Sequence, residues 1–282
     1  METNKVAKPD NTALRTALWR ALHVQIDALP HIIEDEIGLK LIAPDAGWQE
    51  RPDMKYTKRI RASIVARARF VDDFIIEKSQ QGISQYVILG AGLDSFAQRR
   101  PDIASHLQIY EIDQPNTLIW KQQRLVEIGL NIPDNLHFVK VDFETTSWWD
   151  ELLKTGFDAT QPTAIVSTGV TLYLTNEAIK ELLSTMNKFA AGSALAVTFY
   201  LPVEMLDEED KSLMEMSIKG AQASGTPMIS FFAPDEILNL AHDAGFSNIQ
   251  TISTKDMEQL YFANRADQLL PSDGEVFLLA TI

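Results

Sequence analysis

The sequence predicts a doubly wound α/β domain behind a helical N-terminal cap, and three observations predict it. From Gln85 onward, short and almost wholly apolar runs alternate with helical segments. That is the pattern of a parallel sheet covered on both faces. The first of these runs feeds directly into Gly90-Ala91-Gly92, and the next two end on Asp113 and Asp142. The last two runs, NIQTIS and EVFLLATI, have no helical pattern between them that the composition makes evident.

Residues 1–80 form the expected cap. LRTALWRALHVQI and IRASIVARARFVDDFIIEK repeat apolar residues at three- and four-residue steps, so both read as amphipathic helices. The stretch between them, punctuated by Pro and Gly, reads as loop with short helical pieces. Residues 81–282 form the sheet domain. Its expected parallel strands are QYVILG, LQIYEID, HFVKVD, TAIVSTG and SALAVTFY. Helices are expected in NTLIWKQQRLVEIG, in WWDELLKTG with Trp148 and Trp149 as packing residues, and in TNEAIKELLSTMNKFAAG. The last of these has Thr175 as N-cap and Gly192 as its stop. Residues 203–230 read as a mobile helical lid insertion, and the DEED run at 207–210 as a solvated face. PDEILNLAHDAGF has Pro at its first helical position and Gly245 as its stop. The segment from Thr254 to Gly274, rich in Asn, Asp, Pro and Gly, reads as a loop that returns the last strand antiparallel.

Charge and composition exclude several classes of function. With 39 acidic and 25 basic residues the net charge is −14, the wrong sign for sequence-independent phosphate binding, so no nucleic-acid partner is expected. There is no cysteine, hence no disulfide, thiolate metal site or cysteine nucleophile. No apolar run reaches the length of a membrane span, and the N-terminus has no signal-peptide core. A cytoplasmic location is expected. The five histidines show no metal-ligand spacing, and no metal site is expected.

The strand ends carry the chemistry. A strand followed by Gly-x-Gly lets the backbone approach a ligand where a Cβ would clash. Ser95 stands where the dinucleotide fingerprint wants Gly or Ala. Asp113 lies some twenty residues beyond the glycines, where an acid grips a ribose diol; it also suits a helix cap before Pro115. Asp142 is placed to accept from an adenine amino group, with Phe143 packing against the base. Tyr173, after the fourth strand, is placed either to line an acceptor pocket or to fill the core. Successive strand ends carrying Gly, Asp and Asp point to a nucleoside site. Five alternating strands, a helix and a closing antiparallel pair match the Rossmann-like, seven-stranded sheet of class I methyltransferases better than a dehydrogenase sheet.

QYVILGAGLDSFAQR, IYEIDQP, ARARFVDDF and STGVTLYL resemble the leucine carboxyl methyltransferase family. They are most similar to its bacterial branch of S-adenosylmethionine-dependent O-methyltransferases, which includes polyketide carboxyl methyltransferases. The resemblance implies S-adenosyl-L-methionine as cofactor. It assigns Arg67 to the cofactor's methionine carboxylate, the glycine turn to Gly90, Ala91 and Gly92, and the ribose acid to Asp113 with Gln114 beside it. The adenine side falls to Asp142 and Phe143, and the wall of the site to Thr168. This sequence departs from the family pattern at that last position, where a Glu-Gly pair is usual and Thr168-Gly169 stands instead. The expected activity is methyl transfer to an oxygen of a small molecule, a carboxylate among the candidates. No general base is evident. A non-catalytic cofactor binder and a nicotinamide-dependent dehydrogenase are the competing readings.

Overall fold

The computed structural model describes residues 9–143 and 145–282. Helix α1 (Asn11–Ile26) starts where the Asp10 carboxylate accepts from the Ala13 N–H, satisfying one of the orphan donors of the first turn. Short helices α2 (Ile37–Ile42) and α3 (Pro52–Lys55) follow, and then the long α4 (Lys58–Gln80). Beyond them run β1 (Gln85–Leu89), α5 (Phe96–Arg99), α6 (Pro101–Ala104), β2 (Gln108–Asp113), α7 (Pro115–Glu127) and β3 (Leu136–Lys140). Next come α8 (Trp148–Leu153), β4 (Thr163–Ser167), α9 (Asn176–Met186), β5 (Ala194–Tyr200) and α10 (Glu208–Ala223). The chain ends with α11 (Pro234–Asp243), β6 (Ser247–Ile252), α12 (Thr254–Tyr261) and β7 (Glu275–Thr281).

The sheet has seven strands in the order β3-β2-β1-β4-β5-β7-β6, with β1 to β5 parallel and β7 antiparallel to both its neighbours. This is the class I methyltransferase arrangement that the strand pattern implies. The order reverses between β1 and β4, and the register pairs Leu89 with Ile112 on one side and Ser167 on the other. The exits of β1, β2 and β4 are therefore level, which opens a crevice at the topological switch point.

Side chains alternate across each strand, and the sheet is buried on both faces. Tyr86, Ile88, Ile109 and Val166 pack with Ala62, Val65, Phe74 and Ile75 of α4 on one face. Val87, Leu89, Ile112 and Ile165 pack with Leu152, Ile179, Leu183, Met186 and Ile237 on the other. Helix α4 thus builds part of the sheet core, while Leu18, Trp19 and Leu22 of α1 form a smaller cluster with Trp48, Met54 and Ile64. Trp148 and Trp149 pack, partly buried, against Phe189, as expected of packing residues.

Three expectations need correction. Residues 254–261 form a helix inside the segment read as loop, capped by Ser253 and Asp256 in a reciprocal box. Its Met257 joins the α4 face of the core, and burial of that side stabilises a helix too short to stand alone. The antiparallel return of β7 holds nonetheless. Helix α9 keeps Thr175 as its cap but ends at Met186, well before Gly192. The DEED run is not uniformly solvated either. Asp207 caps α10, whereas Asp210 is buried, paired with Arg59 at 2.6 Å and accepting from the Asp273 N–H at 2.8 Å.

Candidate functional site

A cavity of about 880 Å³ opens at the carboxyl ends of β1, β2 and β4, roofed by α1, α4 and α10. That is large enough for a ligand of nucleoside size and a second molecule beside it.

The glycine turn forms its floor. Gly90 has φ +73°, and a Cβ there would stand 2.3 Å from Val170 Cγ2. Only glycine meets both demands at once. The Gly90 N–H donates to Ile112 O at 2.9 Å and that of Ala91 to the same oxygen at 3.2 Å. Gly92, at φ +53°, lies under α1, where Ala13 would meet its Cβ at 3.4 Å. The Asp113 carboxylate ties the turn to the exit of β2. It accepts from the Gly92 N–H at 2.7 Å and from the Gln114 N–H at 2.6 Å. Burial pushes this carboxyl above the ordinary aspartate range, against the pull of those two donors. Asp113 is thus a wall of the cavity, and both of its oxygens retain accepting capacity; it does not cap α7, whose N-cap is Gln114 with no side-chain cap bond.

Arg67 projects from α4 and pairs with Glu275 at 2.8 Å. Burial opposes its charge, but the neighbouring carboxylate outweighs that and holds the guanidinium protonated. A Cβ on Gly169, whose φ is +68°, would approach Arg67 Nη1 to 3.0 Å, so glycine leaves the guanidinium its room. Arg69 points elsewhere, exposed and paired with Asp73 on its own helix. Thr168 lines the cavity, and the next N–H, of Gly169, donates to Thr198 Oγ1 at 2.8 Å. Tyr173 also lines it, on a 3-10 turn over Thr171–Tyr173. Burial pushes its phenol up despite a hydrogen bond with Thr12.

The structure therefore brings Arg67, Gly90, Ala91, Gly92, Asp113, Gln114, Phe143, Thr168 and Tyr173 around one cavity. Asp142 stands apart. It is exposed beyond the end of β3 and outside the cavity lining, while the adjacent Phe143, 42% exposed, lies at the rim.

Sequence reasoning missed a buried polar network beneath the turn. Arg20 of α1 donates to Asp35 at 2.6 Å and to Leu93 O at 2.8 Å. Ser95 donates to Asp35 at 2.6 Å and accepts from Arg99, which grips Asp72 through two bonds of 2.6 and 3.0 Å. Ser95 thus departs from the dinucleotide fingerprint because its hydroxyl joins these ion pairs. No local spacing reports this, since its members come from α1, α4, α5 and the loops between. His23 is likewise structural, buried between Asp27 and the Ile32 N–H.

A sequence profile of the leucine carboxyl methyltransferase family matches residues 13–187. The chain belongs to that family. A Bacillus subtilis protein, named provisionally as an S-adenosyl-L-methionine-dependent methyltransferase, is 35% identical over 219 residues, which is 77% of this chain and 72% of its own length. A Mycolicibacterium smegmatis relative with the same provisional name is 32% identical over 188 residues, or 66% of this chain and 59% of its own. The match thus spans less than two thirds of that longer protein. Among solved structures, a DUF574 family protein of Streptomyces avermitilis superposes with a TM-score of 0.60 at 12% identity, covering 98% of both chains. A provisionally named methyltransferase of Thermobifida fusca gives 0.56 at 15% identity, with 98% of this chain and 96% of its own covered. At such identities the likeness speaks for the fold alone.

This member of the leucine carboxyl methyltransferase family is an S-adenosyl-L-methionine-dependent methyltransferase. Its cavity fits that cofactor on structural grounds. The glycine floor leaves backbone exposed where a Cβ would intrude, and an acid stands at the exit of β2. Acids outnumber arginines in the lining, which suits a ligand carrying a sulfonium and an ammonium.

Proposed function

We propose that this leucine carboxyl methyltransferase relative is a cytoplasmic O-methyltransferase whose acceptor is a small carboxylic acid. The observation that carries the reading is the chemistry of the lining. No histidine or lysine faces the cavity among the described residues, and burial raises the phenols of Tyr86, Tyr173 and Tyr200. A phenol or alcohol acceptor would usually want a base. A carboxylate is ionised at neutral pH and needs none.

S-adenosyl-L-methionine supplies an activated methyl group, so the protein's own work is alignment and exclusion of water. In this reading the backbone of Gly90, Ala91 and Gly92 makes room for the cofactor, and Asp113, with Gln114 next to it, accepts from the ribose hydroxyls. Phe143 packs on the adenine with Asp142 at its amino edge, Arg67 receives the methionine carboxylate, and Thr168 borders the methyl end. Tyr173 lines the acceptor side. Residues 1–80 act as the cap and 203–230 as the lid.

Purified protein incubated with methyl-labelled S-adenosylmethionine and a panel of carboxylic, phenolic and alcoholic metabolites tests this. The expected product is a labelled, base-labile methyl ester from a carboxylic acid. Label transferred only to phenols, alcohols or amines would refute it.

A further inference from the structure

The cavity extends well above the glycine turn. Helix α4 leads into β1 through residues 81–84, so it runs back against that strand and its first turns stand above the strand exits. Its cavity side is Ile60, Ser63, Ile64, Arg67, Ala68 and Val71, the spacing of one helix face. At about 1.5 Å per residue, Ile60 lies roughly 10 Å beyond Arg67 along that wall. Helix α10 lines the same cavity through Leu213, Met214, Met216, Ser217, Gly220 and Ala221, again one face. Arg59 ties the two helices together, pairing with Asp210 at 2.6 Å and Glu209 at 3.0 Å.

The polar side chains on this stretch are already engaged. Asp210 holds Arg59, and Asp53 holds Arg51 at 2.6 Å. The Thr57, Ser63 and Ser217 hydroxyls donate to the carbonyls of Met54, Arg59 and Leu213. Among the described residues, no lysine or arginine lines the cavity from α3, α10 or the first two turns of α4. What this stretch offers a ligand is hydrocarbon and thioether, and methionine adapts to the shape it meets. Gly220 stands near the middle of the α10 face, where glycine weakens a helix. Its backbone is not left-handed, and a Cβ placed there would meet no heavy atom within 4 Å. Neither strain nor crowding therefore calls for glycine, and its missing side chain keeps space open along the cavity wall.

We propose that the methyl acceptor carries an extended apolar chain lying between α10 and the first turns of α4, and that Gly220 sets the bulk this channel admits. The proposal rests on the carboxylic-acid reading above and adds to it the class of acid.

Hexanoate, octanoate, decanoate and dodecanoate are titrated by calorimetry into protein saturated with S-adenosylhomocysteine, with succinate as a short polar acid and 1-decanol as a neutral chain. Affinity is expected to rise roughly fourfold per added methylene, the equivalent of ~0.8 kcal/mol, with succinate failing to bind. Gly220→Leu should weaken dodecanoate at least tenfold and leave hexanoate and S-adenosylhomocysteine within twofold, moving the preference to shorter chains. Gly220→Ala should stay within threefold throughout, and Gln222→Leu, exposed and outside the lining, should change nothing. Affinity flat with chain length in the parent overturns the proposal whatever the variants do. So does dodecanoate binding that Gly220→Leu leaves unchanged or tightens. Equal losses on dodecanoate and S-adenosylhomocysteine also overturn it, since they report displacement of α10. Decanol bound as tightly as decanoate, with no methyl ester formed from any acid, retires the carboxylic-acid reading and leaves the channel. Methyl esters formed from succinate alone retire the channel and leave the carboxylic-acid reading.

Discussion

Gly90→Ala separates backbone strain from steric conflict in the turn that floors the cavity. At φ +73° an alanine pays a left-handed penalty of roughly 1–2 kcal/mol. Its Cβ would also stand 2.3 Å from Val170 Cγ2, far inside the ~3.5–4.0 Å of a comfortable carbon contact. Relieving that overlap costs about 1–3 kcal/mol more by analogy with overpacked cores. The single substitution should therefore destabilise by roughly 2–5 kcal/mol. In a Val170→Ala background Cγ2 is gone and the nearest remaining atom, Val170 Cβ, lies at an ordinary 3.7 Å. Only the backbone penalty should survive there, giving a coupling of about 1–3 kcal/mol in a double-mutant cycle. Urea unfolding of the four proteins measures the cycle, and S-adenosylhomocysteine affinity should recover in parallel with stability. An identical cost of Gly90→Ala in both backgrounds would refute the claim that Val170 sets the shape of the turn.

Two further outcomes are expected. Arg67→Lys should weaken S-adenosylhomocysteine while leaving 5′-methylthioadenosine unchanged, because an ammonium cannot reproduce a two-point grip; Arg69→Lys, on an exposed pair, should change neither, and calorimetry reads both. Asp267 is held below the ordinary aspartate range by its hydrogen bond with Arg265, outweighing burial. A depressed carboxyl binds fewer protons folded than unfolded, so its stabilisation is present above the unfolded pKa near 3.8 and is lost as pH falls further. Asp267→Asn should therefore cost on the order of 1 kcal/mol at pH 7, and unfolding curves of parent and variant should converge in acid.

The sheet was legible because each parallel strand is a short apolar run with a chemically marked exit. QYVIL, buried throughout, leads into glycines whose positive φ no other residue adopts comfortably, and the twenty-residue interval to Asp113 follows from one βαβ unit. Thr175 and Pro234 mark helix starts through local capping chemistry, and both do so in the structure. What stayed hidden depends on distant contacts. Helix α12 carries its box at Ser253 and Asp256, but only packing against α4 stabilises so short a helix. Asp210 reads as one acid among four until Arg59, from α4, is brought beside it. Ser95 looks like a flawed fingerprint until Asp35 and Arg99 meet its hydroxyl.

The central claim is that the exits of β1 and β2 hold S-adenosylmethionine, with Asp113 as the ribose acid. Calorimetric titration of S-adenosylhomocysteine and of NAD into the parent and Asp113→Ala tests it most directly. The parent should bind S-adenosylhomocysteine in the micromolar range and ignore NAD, and at about 100 times the dissociation constant the ligand should stabilise the fold by roughly 2.7 kcal/mol. Asp113→Ala should lose charge-assisted hydrogen bonds worth about 1.5–3 kcal/mol, and with them tenfold or more in affinity. Binding of NAD by the parent, or S-adenosylhomocysteine affinity unchanged in a folded Asp113→Ala, would contradict the account.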